Sequence, residues 1–223
     1  MNVLAIDTSG EYCSLALLMD GKVLSRDKRV GQNHSQELLP LLDGLFAESG
    51  ISVKRLDGIG FGAGPGSFTG LRIACGIAQG LAFAADLPVA GICTLEALAQ
   101  AMPGKQVIAS LDARMGEIYH AAYKKNGDNW QAVSEPVLCA PRRAPRVIGD
   151  GWIACGSGFA AHAEEMALRY KGQLSKTVAE AFPHAREMAH LAAAVLQRGE
   201  GCPAEAAVPL YLREKVALKT FER

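Results

Sequence analysis

Three stretches of this chain carry residue types that can hold an anion or a divalent ion. Asp7-Thr8-Ser9-Gly10 places a carboxylate, two hydroxyls and a glycine at the end of an apolar run. Phosphate or Mg²⁺ contacts suit that set, and so does a plain Asx-type turn. Gly156-Ser157-Gly158, just ahead of a helical pattern, is the analogous candidate for an anion at a helix N-terminus. Between the two lies the densest signal, Phe61-Gly62-Ala63-Gly64-Pro65-Gly66-Ser67-Phe68-Thr69-Gly70-Leu71-Arg72-Ile73, with four glycines in the nine residues from Gly62 to Gly70. Glycine lacks a Cβ and lets backbone approach another group closely. Gly64, Gly66, Ser67, Thr69 and Gly70 therefore read as a tight turn feeding a helix. A P-loop needs a lysine after its last glycine, and no lysine stands between Lys54 and Lys105. The dinucleotide pattern GxGxxG fails too, because its third glycine would fall on Thr69. The turn reads chiefly as structural, with anion binding as the alternative.

Other catalytic patterns are sparse. The histidines stand at 34, 120, 162, 184 and 190, with no i, i+4 pair, so neither HExxH nor HxxxH is present and no metal site is expected. Ser67 and Ser157 lack the GxSxG elbow. Asp112-Ala113-Arg114 with Glu117 groups charges near a strand end. Asp112 is a base in a kinase-type reading and a turn residue paired with Arg114 in the plainer one. No catalytic residue is assigned.

The elements that must position these residues follow from periodicity. Val3 to Asp7, Cys13 to Met19 and Lys22 to Val30 read as three strands, the last two joined by an Asp20-Gly21 hairpin turn. Leu38, Leu41, Leu42 and Leu45 share one face of a helix from Ser35 to Ser49-Gly50, with a kink or late start expected at Pro40. Leu56 to Gly62 is a strand into the glycine turn, and Thr69 to Ala85 a helix. Val89 to Ile92 is a strand, and Thr94 begins a helix to Ala101. Pro103-Gly104 marks a boundary, giving an N-terminal lobe of residues 1–103 and a C-terminal lobe of 104–223. Strands at Gln106 to Leu111, Glu117 to Tyr123, Trp130 to Leu138 and Trp152 to Cys155 follow, with helices at Phe159 to Tyr170 and Pro183 to Arg198. Three strands followed by alternating helices and strands occur twice. That order predicts a duplicated α/β fold of two lobes, each a mixed sheet flanked by helices.

The helix after the glycine turn is apolar almost all round. Leu71, Ala74, Cys75, Ala78, Leu81 and Ala82 make one face, and Ile73, Gly76, Ile77, Gly80 and Phe83 another. Such a helix needs cover on more than one side. With the leucine-rich helix before it, it offers a docking surface assigned here to His34, Leu38, Leu42, Leu71, Ala74, Cys75, Ala78, Leu81 and Ala82. Lys plus Arg and Asp plus Glu are both 23, a balance without the basic surplus of a stand-alone nucleic-acid binder. The cysteines at 13, 75, 93, 139, 155 and 202 are dispersed in apolar segments without a CxxC pair, as expected of reduced thiols in a cytoplasmic protein. No leader is expected at Met1-Asn2-Val3, and the apolar run from Ile73 to Ala85 reads as too short to cross a membrane.

Ile6-Asp7-Thr8-Ser9, His34-Ser35 with Leu38-Leu39-Pro40, the run Gly64 to Ile73, Asp112-Ala113-Arg114-Met115-Gly116-Glu117 and Pro209-Leu210-Tyr211-Leu212-Arg213 together resemble the TsaB (YeaZ-like) family from end to end. The resemblance implies an actin-like (ASKHA, ribonuclease H-like) two-lobed fold. It also implies a part in forming N6-threonylcarbamoyladenosine at position 37 of tRNAs that read codons starting with A. In that family the chain is a non-catalytic partner of the paralogue TsaD, which holds metal in an HxxxH motif absent here. The ATPase TsaE joins the assembly, and tRNA is met only through it. The resemblance places pairing with TsaD, or with a second copy, on the helices at about 35–49 and 69–85, with ATP or ADP at the complex interface. Two other expectations stand beside it. One is a stand-alone actin-like kinase or ATPase, with nucleotide between Asp7-Thr8-Ser9 and Gly156-Ser157-Gly158. The other is a glycoprotease-like metallopeptidase.

Overall fold

A computed structural model describes residues 1–127 and 129–213. Its elements run β1 (Val3–Asp7), β2 (Tyr12–Met19), β3 (Lys22–Arg29), α1 (His34–Ser49), β4 (Gly58–Gly64), α2 (Phe68–Ala85), β5 (Val89–Cys93) and α3 (Thr94–Gln100). The second set is β6 (Gln106–Arg114), β7 (Glu117–Asn126), β8 (Asn129–Cys139), β9 (Trp152–Cys155), α4 (Ser157–Ala161), α5 (Ala163–Arg169), β10 (Leu174–Val178) and α6 (Ala185–Gln197). The two sheets are ordered β3-β2-β1-β4-β5 and β10-β9-β6-β7-β8. In each, three antiparallel strands are followed by two that run parallel to the first. The duplication expected from element order is there strand for strand.

Alternation explains how the first sheet is covered. On β1, Leu4 and Ile6 face one side and Val3 and Ala5 the other, and all four are buried. The first side meets Leu38, Leu42 and Leu45 of α1 and Ala74, Cys75, Ala78 and Ala82 of α2. The second side meets Ala185, Met188, Ala189, Ala192 and Ala193 of α6. In the second sheet one face packs on Phe159, Met166 and Tyr170, and the other on Leu95, Leu98 and Ala99 of α3. The lobes have therefore exchanged helices. The step at residues 103 and 104 separates the sheets but not the cores, because α6 completes the N-terminal one and α3 the C-terminal one. After α6 the chain returns to the first lobe as well, where Cys202 bridges Val89.

Local departures from the sequence reading have simple causes. The first long helix runs unbroken across Pro40, whose position is exposed, so the carbonyl that loses its hydrogen bond faces water. The helix expected from Phe159 to Tyr170 divides at His162 into α4 and α5. The strand β10 was not expected, since Leu174–Val178 is mostly exposed and lacks a buried run. The Asp20-Gly21 turn has both residues at positive φ, 48° and 78°, the geometry that a two-residue hairpin with the right twist requires.

The start of α6 is tied to the first sheet by a polar cluster. The Ala185 N–H donates to Ser14 Oγ at 2.7 Å, and Ser14 Oγ donates to Asp27 Oδ1 at 2.6 Å. The same carboxylate oxygen pairs with His184 Nδ1 at 2.9 Å. The bond to Asp27 holds the imidazole above its ordinary value, against the opposing effect of burial. Burial pushes Asp27 up, but its bonds to His184 and Ser14 overcome this and leave it lowered. A raised histidine stabilises fully below its unfolded value near 6.5 and loses that contribution as pH rises through the folded one. A lowered carboxylate stabilises above its unfolded value near 3.8 and loses that contribution on acidification. The pair therefore counts most in the window between. We expect His184→Ala to lower Tm more at about pH 5.5 than at about pH 9. An equal loss at both, in thermal melts across that range, would contradict the pairing.

Candidate functional site

Eight of the nine residues assigned to docking are inside the molecule. His34, Leu38, Leu42, Leu71, Ala74, Cys75, Ala78 and Ala82 are all buried, and Leu81 is half-buried. The sheet takes the better-filled face of α2, because alanine and leucine at those positions pack flat on β4 and β1. The His34 Nε2–H donates to the Gly10 carbonyl at 3.0 Å and fastens α1 to the turn after β1. These residues therefore do not form an open surface, and the exposed residues of α2 lie on its other face.

That outer face carries Arg72, Ile73, Gly76, Ile77, Gly80 and Phe83, of which Ile73 and Ile77 are half-buried and the others exposed. Phe83 is 79% exposed and Leu39 of α1 49%. A groove of about 300 Å³ lies between the two helices, lined by Ser35, Leu38, Leu39, Arg72, Ile73, Gly76 and Ile77. Gly76 and Gly80 each cost the helix about 1 kcal/mol relative to alanine. Among the described residues nothing outside the helix's own backbone lies within 4 Å of where their Cβ atoms would stand, so no packing contact there requires them. By length and composition the whole of α2, Phe68–Ala85, is long and apolar enough to cross a bilayer, although its uninterrupted run Ile73–Ala85 is shorter. It lies instead against the sheet, with one side covered and one side bare.

The second feature is a cleft between the lobes of about 1060 Å³. Ser9, Gly66 and Ser67 reach it from one lobe and Asp112, Arg114 and Ser157 from the other. The two anion candidates are thus brought to one cavity, but most of their atoms are used internally. Thr8 Oγ1 donates to the Gly70 carbonyl at 2.6 Å, and Ser67 N–H to the Ser9 carbonyl at 2.7 Å. A Cβ on Gly70 would collide with the Thr8 carbonyl. Ser67 caps α2 by accepting the Gly70 N–H at 3.3 Å. Gly156 and Gly158 sit against Ser110 in the same manner, and a Cβ on either would collide with it. Asp112 accepts the Arg114 N–H at 2.9 Å and pairs with that guanidinium at 3.1 Å, as a turn residue does. Among the described residues no three His, Cys, Asp or Glu side chains converge as metal ligands would.

Asp7 does not reach the cleft. It is buried, with Ser9 donating from Oγ to Oδ2 at 3.0 Å and from its N–H to Oδ1 at 3.3 Å. Its carboxylate fills the space that a side chain at residue 62 would need, so Gly62 is a packing requirement. Burial pushes Asp7 up to about 7, opposed by the two bonds from Ser9.

Sequence reasoning did not single out the cluster of Arg72, Phe68 and Tyr211. The Arg72 guanidinium lies 3.9 Å from the Phe68 ring centroid, and its Nε–H donates to Tyr211 Oη at 2.9 Å. These residues stand 139 apart in sequence, and only the motif containing Tyr211-Leu212-Arg213 hinted at a role for the later segment.

A family model described as TsaD, tRNA N6-adenosine threonylcarbamoyltransferase, matches residues 27–221. The tRNA threonylcarbamoyladenosine biosynthesis protein TsaB of Escherichia coli is 36% identical, over 98% of this chain and 97% of the relative. The protein of the same name from Haemophilus influenzae is 35% identical, over 98% and 96%. Among solved structures, YeaZ from Pseudomonas aeruginosa superposes with a TM-score of 0.89 at 37% identity, covering 95% of this chain and 99% of that one.

The buried carboxyl yields a pH test. A carboxyl raised from 3.8 to about 7 favours the folded state while protonated, and that advantage is lost as pH rises through about 7. Asp7→Asn keeps an oxygen for Ser9 but cannot ionise. Its Tm relative to the parent should therefore climb between about pH 5 and pH 9, by an amount worth roughly 2–4 kcal/mol. A difference that is flat with pH would show that Asp7 ionises freely in the fold.

Proposed function

Since the chain belongs to the TsaB family, whose named members are tRNA threonylcarbamoyladenosine biosynthesis proteins, we propose that it serves that modification as a non-catalytic docking subunit. Its partner in this reading is the TsaD paralogue, seated on the outer faces of α1 and α2. In its absence a second copy takes the same place. The ATPase TsaE joins the assembly, ATP or ADP binds at the interface between subunits, and tRNA is met only through the complex. A cytoplasmic setting goes with that role.

The observation that carries the reading is the pair of outward glycines. Gly76 and Gly80 are spaced by four, lie in open space and flank Ile77 beside an apolar groove. Two helix-weakening residues that no packing contact among the described residues needs are explained by a partner backbone coming close at those points. The missing HxxxH and the sequestered Asp7 support a role without its own chemistry. A second reading, nucleotide in the interlobe cleft of the isolated chain, is favoured by Ser67, Ser157, Arg29 and Arg114 lining that cavity. ATP titration of the chain alone separates the two, since micromolar binding with turnover belongs only to the second.

Substitutions on the two faces of α2 should behave oppositely. Gly76→Arg, on the bare face, is expected to leave a folded monomer that no longer co-purifies with TsaD or supports modification in a reconstituted reaction. Ala78→Glu buries a charge against the sheet and should cost several kcal/mol, enough to unfold a marginal domain. Gly76→Ala with Gly80→Ala should stabilise the free chain by about 1–2 kcal/mol in total while weakening association. Intact association in a folded Gly76→Arg chain would defeat the assignment of this face.

A further inference from the structure

The groove and the cleft share a wall. Arg72 lines the groove, whereas Phe68 and Tyr211 line the cleft. The guanidinium bridges them, stacked on Phe68 at 3.9 Å, within 5.8 Å of the Tyr211 ring and bonded to its hydroxyl. Tyr211 in turn belongs to a segment, residues 207–213, that is fixed to both lobes. On the first lobe Gln79 Nε2 of α2 donates to the Ala207 carbonyl at 2.9 Å, and the Leu210 N–H donates to the Ala63 carbonyl at 2.7 Å. Gly64 is at φ 122°, and a Cβ there would stand 2.8 Å from the Leu210 carbonyl, so the glycine turn itself is shaped to let this segment pass. On the second lobe Arg213 donates to the Ala113 carbonyl at 3.0 Å and pairs with Glu117 at 2.8 Å.

We propose that residues 207–213 are an interlobe strap, and that Arg72 couples its hold on the two lobes to partner docking in the groove. The inference rests on the docking reading given above and adds regulation to it. Arg72 is exposed, so water competes for its bond to Tyr211 and weakens its stacking on Phe68. A helix seated in the groove covers the arginine stem and excludes that water, which strengthens both contacts. Tyr211 is then held more firmly, and with it the strap that fixes the cleft on both sides. Because linkage is reciprocal, a strap already in place must favour docking by the same factor that docking favours the strap. Arg72 is thus a positioning residue, acting through Tyr211.

The test uses the full chain with the TsaD paralogue and reads two quantities, dissociation constant and amide hydrogen exchange over residues 207–213. On complex formation the strap amides, Leu210 above all, should exchange about fivefold more slowly or better. Tyr211→Phe keeps the ring and removes the hydroxyl, while Arg213→Ala frees the strap from the second lobe, away from the groove. Both should fold with nearly the parent Tm, weaken docking by about fivefold, and lose the added protection. Gly76→Arg serves as the control for docking itself. If it abolishes binding while Tyr211→Phe and Arg213→Ala stay within about twofold of the parent and the strap gains no protection, coupling is wrong and docking stands. If Gly76→Arg binds normally, the groove is not the docking site and the coupling falls with it.

Discussion

Close approach of backbone at alternate residues of β4 sets the geometry of everything around it. Gly58, Gly60, Gly62 and Gly64 on the strand and Gly66 just beyond it recur every second position, and each yields to a different neighbour. The first two let α6 lie against the strand through Leu196 and Ala192, and the third leaves room for the Asp7 carboxylate. The fourth admits the Leu210 carbonyl and the fifth the Ser9 carbonyl. On the opposite face of the strand, Ile59, Phe61 and Ala63 carry the apolar contacts to α1 and α2. One strand thus has a face that packs by side chain and a face that packs by the lack of one. That division lets the sheet be covered on both sides while β1, α6 and the later segment all stay within reach of the turn into α2.

The same device recurs in reduced form in the second lobe. Gly156 and Gly158 stand against Ser110 in the middle of β6, as Gly66 and Gly70 stand against Ser9 and Thr8 beyond β1. Both lobes aim a strand end and a helix start at the shared cleft. In both, hydroxyl groups that would face a phosphate are partly spent on holding the turn: Thr8 on the Gly70 carbonyl, and Ser157 on the Asp112 N–H. The architecture of a ligand site is present while its polar groups are turned to structural use. This fits the proposal that the working surface lies on the outer helices.

How much of this was legible in the sequence depended on the range of the interaction. Local signals did well: the Asp20-Gly21 hairpin, β1 and β9 to the residue, and the turn into α2 all follow from contacts within a few positions. The apolar helix was recognised as needing cover on two sides, but its two rows have similar composition, so periodicity could not say which row the sheet takes. Burial of Leu71, Ala74, Cys75, Ala78 and Ala82 is decided by the position of β4, which the helix pattern does not encode. The exchange of α3 and α6 was invisible for a related reason. A boundary at Pro103-Gly104 marks where the chain changes sheets, and composition there says nothing of a helix that returns about 80 residues later. Arg72 and Tyr211 likewise meet only in three dimensions.

The exchanged helices bear on how the chain comes to exist at all. Val3, Ala5, Ala16, Ala90 and Ile92 belong to the sheet that is synthesised before the other, yet the helix that shields them is made only after every strand of the second sheet. Until residues 185–197 emerge, that side of the sheet lacks most of its cover, since among the described residues only Ala97 of α3 joins α6 in the helical packing against it. Domains ordinarily fold from the N-terminus as they appear, and apolar surface bared on the way invites aggregation. Here the first lobe must wait for the second, so the two mature together and neither half is a self-sufficient product of translation. A nascent chain stopped between α3 and α6 would present a finished set of strands with a largely bare apolar side, the kind of surface to which chaperones bind.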